Sequence, residues 1–364
     1  MKVHVEELKI GCIAAEDVMG LTANPIIKKG TEIDPIHIEV LRAFNIRQLA
    51  ILSKTADGEM IDAEPIKDEE VFHEAGAYDE VENYSFKKLY MDFVKFFNAA
   101  FNGWQSGSKV DVVDLKNKLT PLLKVVSSDR DIIYYLPRWS QPKDYMAHHA
   151  VSTALISYLV AEKYGYDKGA CIQTALAGII ADTGMAKMPL SILKKTGPLT
   201  QEEAIEIRKH PIYSYQYVMD TPLLKNEMKQ AIYQHHERLD GSGYPRGSKR
   251  SEINLPAQMI ALADVYHAMT SERLYRAKQS PFKALETIMH DEFGKFDIIL
   301  LKTLQEMIGN LSTGTKVELS NEQVAEVIFT KPDELLRPMV RLTTTEEVID
   351  LSTNRKLFIE RVIS

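Results

Sequence analysis

The feature that most limits the fold is an almost unbroken succession of helical segments between Asp144 and Leu304. Apolar residues recur there every three or four positions, a spacing that places them on one face of an α-helix. The predicted helices span residues 145–163, 168–182, 201–218, 224–236, 257–271 and 281–291. We therefore expect an all-α domain of at least six helices, with boundaries at residues 129–305.

The two ends of the chain have a different pattern. Residues 1–53 alternate short apolar runs with glycine and proline, which predicts short strands and one helix in a small α+β N-terminal domain. Residues 306–364 return to short alternating segments. Strands of this length need each other or the helical body to be stable, so we expect a β-rich C-terminal appendix. The expected fold class is mainly α.

Two segments connect the N-terminal domain to the helical one. Residues 54–83 are predicted to be an acidic linker, because few large apolar residues occur there. Residues 84–128 are predicted to be a helical connector of two antiparallel helices, the second around 111–126. The first carries an aromatic stripe of Phe86, Tyr90, Phe93, Phe97, Phe101 and Trp104. Such a stripe belongs either to the core or to a homodimer interface through residues 84–126.

Composition excludes several classes of protein. With 45% hydrophobic and 26% charged residues over 364 positions, the chain is neither collagenous nor largely disordered. Cys12 and Cys171 are its two cysteines, too few for a disulfide framework or a thiolate zinc site. No apolar run approaches the roughly 20 residues that span a bilayer, and the N-terminus shows no secretory signal. We expect a cytoplasmic protein without a membrane span.

The net charge of −7 argues against a partner such as bulk nucleic acid. That charge is unevenly distributed along the chain. Eleven acidic residues and two lysines give −9 between Lys54 and Glu82, so the −7 of the whole chain leaves +2 elsewhere. A small dianionic nucleotide is therefore compatible with the rest of the protein.

Chemistry-bearing residues concentrate in the predicted helical domain. Six of the ten histidines fall between residues 148 and 267. Asp182 follows the apolar run LAGIIA and Asp264 follows MIALA, so both carboxylates are expected on buried helix faces. An unpaired buried charge costs several kcal/mol, and a bound cation would compensate both carboxylates.

Imidazole and carboxylate donors suit Zn, Mn, Fe or Ni, and the donor types alone leave the metal unspecified. A carboxylate can also bridge two cations about 3.5 to 4 Å apart, the geometry that clamps a phosphoryl group and activates water. The adjacent His235 and His236 run into a turn-rich segment ending at Pro245, where glycines let the backbone approach a ligand. The candidate ligands are His149, Asp182, His210, His235, His236 and Asp264.

The segment HHERLDGSGYP, residues 235–245, resembles the defining motif of HD-GYP proteins. These are the metal-dependent branch of the bacterial cyclic di-GMP phosphodiesterases, within the HD hydrolase superfamily. The resemblance covers roughly residues 140–300. Further matching segments are KKTGPLT at 194–200, KHP at 209–211, ADVYHA at 263–268 and TSERLYR at 270–276.

The resemblance implies a role for each matching residue. The six candidate ligands would hold a divalent transition metal, with Asp182 as the bridging aspartate. Asp182, His235 and Asp264 would be the catalytic residues. Tyr244 and Pro245 would shape the substrate site. Arg273 and Arg276 would bind the substrate phosphates, a task to which guanidinium groups are well suited.

The chain departs from the family pattern at the HD signature itself. Where the family has His-Asp followed by Gly-Lys, this chain has Ala181 before Asp182 and Met185 after Gly184. The family's second site, of Asp182, His210, His235 and His236, is complete, and the first retains only His149, Asp182 and Asp264. We therefore expect one metal ion, with two as the alternative. Tyr145 stands where some members have a glutamate, and His267 replaces a common aspartate.

Two main hypotheses follow from these departures. The first is a cyclic di-GMP phosphodiesterase of reduced activity, since loss of one preorganised donor typically costs roughly 10²- to 10³-fold in rate. The second is a catalytically inactive module that binds cyclic di-GMP, a related nucleotide or a signalling protein partner. Hydrolysis of another phosphoester is a third. His267, one helical turn after Asp264, is a candidate replacement ligand.

Overall fold

The structure is a computed structural model that describes residues 2–5, 8, 10–19, 25–43, 48–52, 54, 77–272 and 278–363. The chain divides into two compact units, Met1–Ala75 and Gly76–Ser364. Most of the predicted acidic linker, residues 55–76, lies outside the described residues. The predicted domain boundaries at 53, 83, 128 and 305 stay predictions.

The N-terminal unit is small and mixes strands with one helix, as expected. Strand β1 (Lys2–His4) pairs antiparallel with β4 (Gln48–Ala50), and β2 (Val18–Met19) pairs antiparallel with β3 (Pro25–Ile27). Helix α1 (Pro35–Ala43) lies between β3 and β4 in the chain. The unit has its own core, which includes the fully buried Val3, Cys12, Ile33, Leu41 and Ile51.

The second unit is helical over most of its length, which confirms the predicted fold class. Its helices are α2 (Ala77–Gln105), α3 (Val112–Ser128), α4 (Ile132–Trp139), α5 (Tyr145–Tyr164), α6 (Lys168–Ile180), α7 (Leu190–Leu193), α8 (Gln201–Ile207), α9 (His210–Val218), α10 (Asn226–Gln234), α11 (Leu255–Thr270), α12 (Pro281–Asp291) and α13 (Ile298–Gly309). Among the described residues, no helix has the length and apolar character needed to cross a membrane.

Two predicted helix boundaries were wrong. Helix α2 begins at Ala77, before residue 84, where the helical connector was predicted to start. The helix predicted over 201–218 is two helices, α8 and α9. Pro211 has no backbone N–H to continue a helix, but it is tolerated in the first turn of α9.

The aromatic stripe of α2 belongs to the core of its own chain. The ring of Phe86 lies 5.7 Å from that of Trp139, and the ring of Tyr90 lies 5.4 Å from the same indole. Phe93, Phe97 and Trp104 are also buried. The stripe is therefore unavailable as a dimer interface, and a homodimer through another face of residues 84–126 stays a prediction.

Helix α5 is the central helix of the unit, because every residue from Ala147 to Ala161 is buried. A helix that is buried on all sides must be surrounded by other elements. Helix α6 packs closely against it at Gly178, where an added Cβ would lie 3.1 Å from the Ala154 Cα atom. This close approach places Asp182, which follows α6, near His149 on α5.

The C-terminal residues form one antiparallel sheet, which confirms the β-rich appendix. Its strands are β5 (Lys316–Leu319), β6 (Val324–Phe329), β7 (Met339–Leu342), β8 (Val348–Asp350) and β9 (Ile359–Val362), in the order β8-β7-β6-β5-β9. Buried and half-buried residues alternate along β6 and β7, as in a sheet with one face on a core. The buried Arg337 pairs with Glu286 of α12 and fixes the sheet to the helices.

Candidate metal centre

The carboxylate of Asp182 lies at the middle of the site. It follows α6, and its two oxygens face different partners. Oδ1 is 3.1 Å from Nε2 of His210 and 3.6 Å from Nε2 of His235, while Oδ2 is 3.4 Å from Nε2 of His149. One carboxylate therefore contacts two sets of imidazoles, as a bridging ligand does.

His210 and His235 belong to the first set, and both are buried. Nδ1 of His210 lies 2.7 Å from the carbonyl oxygen of Ile207, and Nδ1 of His235 lies 2.7 Å from that of Ile232. Each Nδ1–H therefore donates to a backbone carbonyl, and in that tautomer Nε2 of each ring offers a lone pair to a metal ion. These two Nε2 atoms are only 3.3 Å apart.

Two facing lone pairs cannot bond to one another, so their approach fits a cation between them. Ligand atoms at about 2.0 to 2.1 Å from a tetrahedral metal ion lie roughly 3.3 Å from each other. The observed separation of the His210 and His235 Nε2 atoms, 3.3 Å, has that value. With His236 and Asp182 they form a group of four ligand atoms, all within 4.8 Å of one another.

A second group consists of His149, Asp182 and Asp264. His149 comes from α5 and Asp264 from α11. The Nε2 atom of His149 lies 2.7 Å from Asp264 Oδ1. His236 connects the groups, because its Nδ1 lies 3.7 Å from Asp264 Oδ2. The two groups share Asp182 and contain all six candidate ligands.

The electrostatics keep the carboxylates ionised. Burial alone would raise the pKa of Asp182, but the adjacent imidazoles of His149, His210 and His235 outweigh burial and hold that pKa well below its usual range. The pKa of Asp264 is also lowered, against burial, by His149 and His236.

The two histidines beside these carboxylates differ in charge. Burial and the neighbouring His235 hold the pKa of His236 well below its usual value, which leaves a neutral imidazole. Burial opposes protonation of His149, yet its hydrogen bonds with Asp182 and Asp264 raise the pKa to about 9. A metal ion would have to displace that proton, since metal-bound imidazole is neutral.

The loop between α10 and α11 is held in place by a buried carboxylate. Glu237 is 3% exposed, and it accepts hydrogen bonds from the backbone N–H groups of Arg246 and Ser248. Gly243 packs so tightly that an added Cβ would lie 2.4 Å from the Arg238 nitrogen. The loop thereby stacks Tyr244 on His236, with ring centroids 4.6 Å apart.

The residues around Asp182 pack against α9. An added Cβ at Gly184 would lie 2.1 Å from the His210 carbonyl oxygen, so only glycine fits there. The Gly184 N–H donates to Ser214 Oγ, and that hydroxyl donates to the Ala181 carbonyl oxygen. Ala181 itself is buried and offers only a methyl group where the family has a histidine.

A cavity of about 460 Å³ opens beside the two ligand groups. Tyr145, Met185 and Tyr244 line it together with His149, Asp182, His210, His236 and Asp264. Helix α12 forms another wall, through residues that include Ile288 and Asp291. The side chain of Met185 contributes a thioether to this cavity, at the position where the family has a lysine.

The structure brings the six predicted ligands together, while their roles as ligands stay a prediction. Tyr244 lines the cavity, and Pro245, joined to it by a cis peptide bond, is half-buried in the same loop. Arg273 and Arg276 lie outside the described residues. His267 is close to the site but belongs to neither ligand group of the described residues.

Sequence reasoning missed three contributors. Glu237 lies within the motif, but an acidic residue in a glycine-rich turn is usually solvated, so its burial had no signal in the sequence. Ser214 carried no signal in the sequence. The wall formed by α12 was also missed, since the 281–291 segment is distant in sequence from every ligand and contains no motif.

A buried set of histidines and aspartates on packed helices defines a helical metal-binding domain. Residues 139–299 match the family model described as HD domain. Within this match, the GYP loop follows the paired histidines, an arrangement that resembles the HD-GYP branch of the HD family.

The chain is similar to several curated proteins. It is 26% identical over 242 residues to a cyclic di-GMP phosphodiesterase from Pseudomonas aeruginosa, a match that covers 66% of this chain and 58% of that protein. It is 31% identical over 163 residues to the 3'3'-cGAMP-specific phosphodiesterase 1 from Vibrio cholerae, covering 43% of this chain and 38% of that protein. The chain thus spans about half the length of these relatives.

A similar solved structure is an HDG"Y"P protein from Bdellovibrio bacteriovorus. The two share 16% sequence identity with a TM-score of 0.49, over 85% of this chain and 99% of that one.

Proposed function

We propose that this chain is a metal-dependent phosphodiesterase that hydrolyses a cyclic dinucleotide, with cyclic di-GMP as the first candidate substrate, at a reduced rate. The observation that carries the proposal is the Asp182 carboxylate, which is shared between two ligand groups beside a cavity of about 460 Å³. The names of the relatives, cyclic di-GMP and 3'3'-cGAMP phosphodiesterases, support the substrate class.

The residues divide the work between holding metal and holding substrate. His149, Asp182, His210, His235, His236 and Asp264 would hold divalent metal (Fe, Mn, Zn or Ni), one ion in the four-ligand group and a second as the alternative. Such a metal polarises a phosphoryl oxygen and activates water when bound. Tyr244 and Pro245 shape the substrate site, and Arg273 and Arg276 bind the phosphates.

The reduced rate follows from two missing groups. Ala181 offers no ligand to the group of His149, Asp182 and Asp264, and an open coordination position can be filled by water. Met185 offers no positive charge to the cavity. Loss of one preorganised donor typically costs roughly 10²- to 10³-fold in rate.

The test is turnover by purified protein loaded with Mn²⁺ or Fe²⁺, with metal content measured on the same sample. Cyclic di-GMP and 3'3'-cGAMP are assayed in parallel. We expect slow formation of a linear dinucleotide or mononucleotide that stops on addition of a chelator. No product from either nucleotide under any metal would refute the proposed activity.

The same two residues favour a second candidate, a catalytically inactive module. It would bind cyclic di-GMP or a signalling protein partner and transmit the signal through residues 84–126, in which a homodimer could take part. Nucleotide binding without turnover in the parent, together with activity in the Ala181→His, Met185→Lys double variant, would support the module. Turnover in the parent would contradict it.

A further inference from the structure

The two sides of the His149 ring have different environments. Its Nε2 faces Asp264 and Asp182, the side on which a metal ion would bind. Its Nδ1 lies 3.0 Å from Nδ1 of His267, a histidine of α11 that is fully buried. His149 thus differs from His210 and His235, whose Nδ1 atoms face backbone carbonyl oxygens.

The ring of His267 is itself fixed from its other side. Ser271 lies one helical turn later and is 1% exposed, and its Oγ is 2.9 Å from Nε2 of His267 and 3.3 Å from Nδ1. The backbone N–H of Ser271 donates to the His267 carbonyl oxygen, which fixes the serine at the end of α11. Ser271 Oγ is therefore within hydrogen-bond distance of both ring nitrogens of His267 and is closer to Nε2, while His149 approaches Nδ1.

The ring protons of His149 and His267 determine which nitrogen donates and which accepts in this chain of hydrogen bonds. When Nε2 of neutral His149 is a metal ligand, its Nδ1 must carry the ring proton. That Nδ1–H can donate to Nδ1 of His267 only if His267 holds its own proton on Nε2. The Nε2–H of His267 then donates to Ser271 Oγ.

We propose that His267 is a positioning residue that accepts the His149 Nδ1–H, fixes the tautomer in which His149 Nε2 can bind metal, and is held by Ser271. Ligating histidines commonly donate their second N–H to a carboxylate or carbonyl, and removal of such a partner costs about 10- to 100-fold in metal affinity. In this chain an imidazole performs that role. The inference uses the metal site of the proposed function and does not require turnover.

Tyr145 is the competing partner for the same nitrogen. Its hydroxyl lies 3.3 Å from His149 Nδ1, and its ring stacks on the His149 ring with centroids 5.3 Å apart. The distance to His267 is shorter by 0.3 Å, from 3.3 to 3.0 Å. Tyr145→Phe is therefore the matched control for His267→Ala, because each removes one of the two candidate partners.

The experiment titrates zinc into the full chain in competition with a chromogenic chelator, for the parent and for H267A, H267D and Y145F. The quantity compared is the affinity for the second zinc equivalent, which the group of His149, Asp182 and Asp264 would hold. We expect about 10- to 100-fold weaker binding in H267A, recovery in H267D because a carboxylate also accepts from Nδ1–H, and parent affinity in Y145F. Parent affinity in H267A, or weaker binding in Y145F alone, would overturn the proposal. A parent that binds no second equivalent would also overturn the proposal.

Histidine-labelled NMR of the zinc-loaded chain gives a readout that a purely structural role would not change. We expect the proton of His149 on Nδ1 in the parent and in Y145F. Zinc bound through Nδ1 of His149 would contradict the proposal. If H267A does not fold, S271A takes its place in the experiment. We expect S271A to lose zinc affinity in the same direction as H267A, by a smaller factor. Unchanged affinity in S271A would then count against the proposal that Ser271 holds His267.

Discussion

At the scale of single residues, Asp182 is the candidate ligand that the two groups of described residues share. Its Oδ1 faces His210 and His235, and its Oδ2 faces His149. Among the candidate ligands described, the Asp264 carboxylate contacts His149 and His236. The two aspartates are buried to a similar degree, so they form a matched pair for mutagenesis.

We predict that Asp182→Asn and Asp264→Asn differ in metal content. Asp182→Asn removes a charged ligand from both groups, so metal binding should weaken by more than about 100-fold, beyond the effect of losing an outer partner. Asp264→Asn should leave the four-ligand group able to bind one ion. Elemental analysis after equilibration with Mn²⁺ measures both, and equal metal content in the two variants would contradict the assignment of the bridge to Asp182.

Sequence alone predicted the donors but not their orientation. The motif letters gave all six candidate ligands, and the three-residue spacing placed His267 on the same face of α11 as Asp264. The hypothesis that His267 replaces a ligand was not supported, because its Nδ1 faces Nδ1 of His149 instead of the carboxylates. Which ring nitrogen faces which neighbour depends on side-chain rotamers and helix packing, and no spacing rule specifies those.

At the scale of elements, the loop between α10 and α11 forms part of the site through its backbone. Glu237 accepts hydrogen bonds from two backbone N–H groups of the loop. Gly243 allows the chain to pass close to Glu237 and Arg238. The sequence predicted a glycine-rich turn here. It could not predict that Glu237 would be buried, since an acidic residue in a turn is usually solvated.

We predict that Gly243→Ala destabilises the protein by about 1 to 3 kcal/mol and weakens nucleotide binding. The new Cβ would lie 2.4 Å from the Arg238 nitrogen and 2.5 Å from the Glu237 Cα atom, so the loop that carries Tyr244 must shift. Gly197→Ala is the control, because no atom lies within 4 Å of its added Cβ. Urea unfolding measures the effect, and equal stabilities for the two variants would contradict this account of the loop.

The C-terminal sheet depends on one buried ion pair with α12. Arg337 is 3% exposed, and besides Glu286 it donates to the carbonyl oxygens of Leu351 and Leu357. We predict that Arg337→Met costs about 3 to 5 kcal/mol of unfolding free energy, because Glu286 loses its buried partner and keeps the longer pair with Lys283 at 3.5 Å. Arg355→Ala, which removes an exposed pair with Glu334, should cost less than about 1 kcal/mol. Similar losses in thermal unfolding would argue against the anchoring role.

At the scale of the molecule, the candidate metal ligands come from helices distant in the chain. His149 comes from α5, His210 from α9, and Asp264 from α11, while Asp182 follows α6 and the paired histidines follow α10. Periodicity predicted most of these helices and the β-rich C-terminal appendix. The predicted start of α2 was wrong, because the acidic composition there is typical of a linker. The single helix predicted over 201–218 was wrong, because Pro211 divides that helical pattern.

We predict that metal stabilises the second unit measurably. An ion that binds only the folded state, supplied at 100 times its dissociation constant, adds about 2.7 kcal/mol to the free energy of unfolding. Thermal unfolding with Mn²⁺ and after chelation measures this shift, with Asp182→Asn as the control that should not respond. An identical midpoint with and without metal in the parent would contradict a site that connects these helices.

The central claim is that this is a phosphodiesterase weakened by Ala181 and Met185. The most direct test compares hydrolysis of cyclic di-GMP by the parent and by the Ala181→His, Met185→Lys double variant, at equal metal occupancy. The account predicts slow, metal-dependent product formation by the parent and a rate at least about 10²- to 10³-fold higher in the double variant. A double variant no faster than the parent would contradict it.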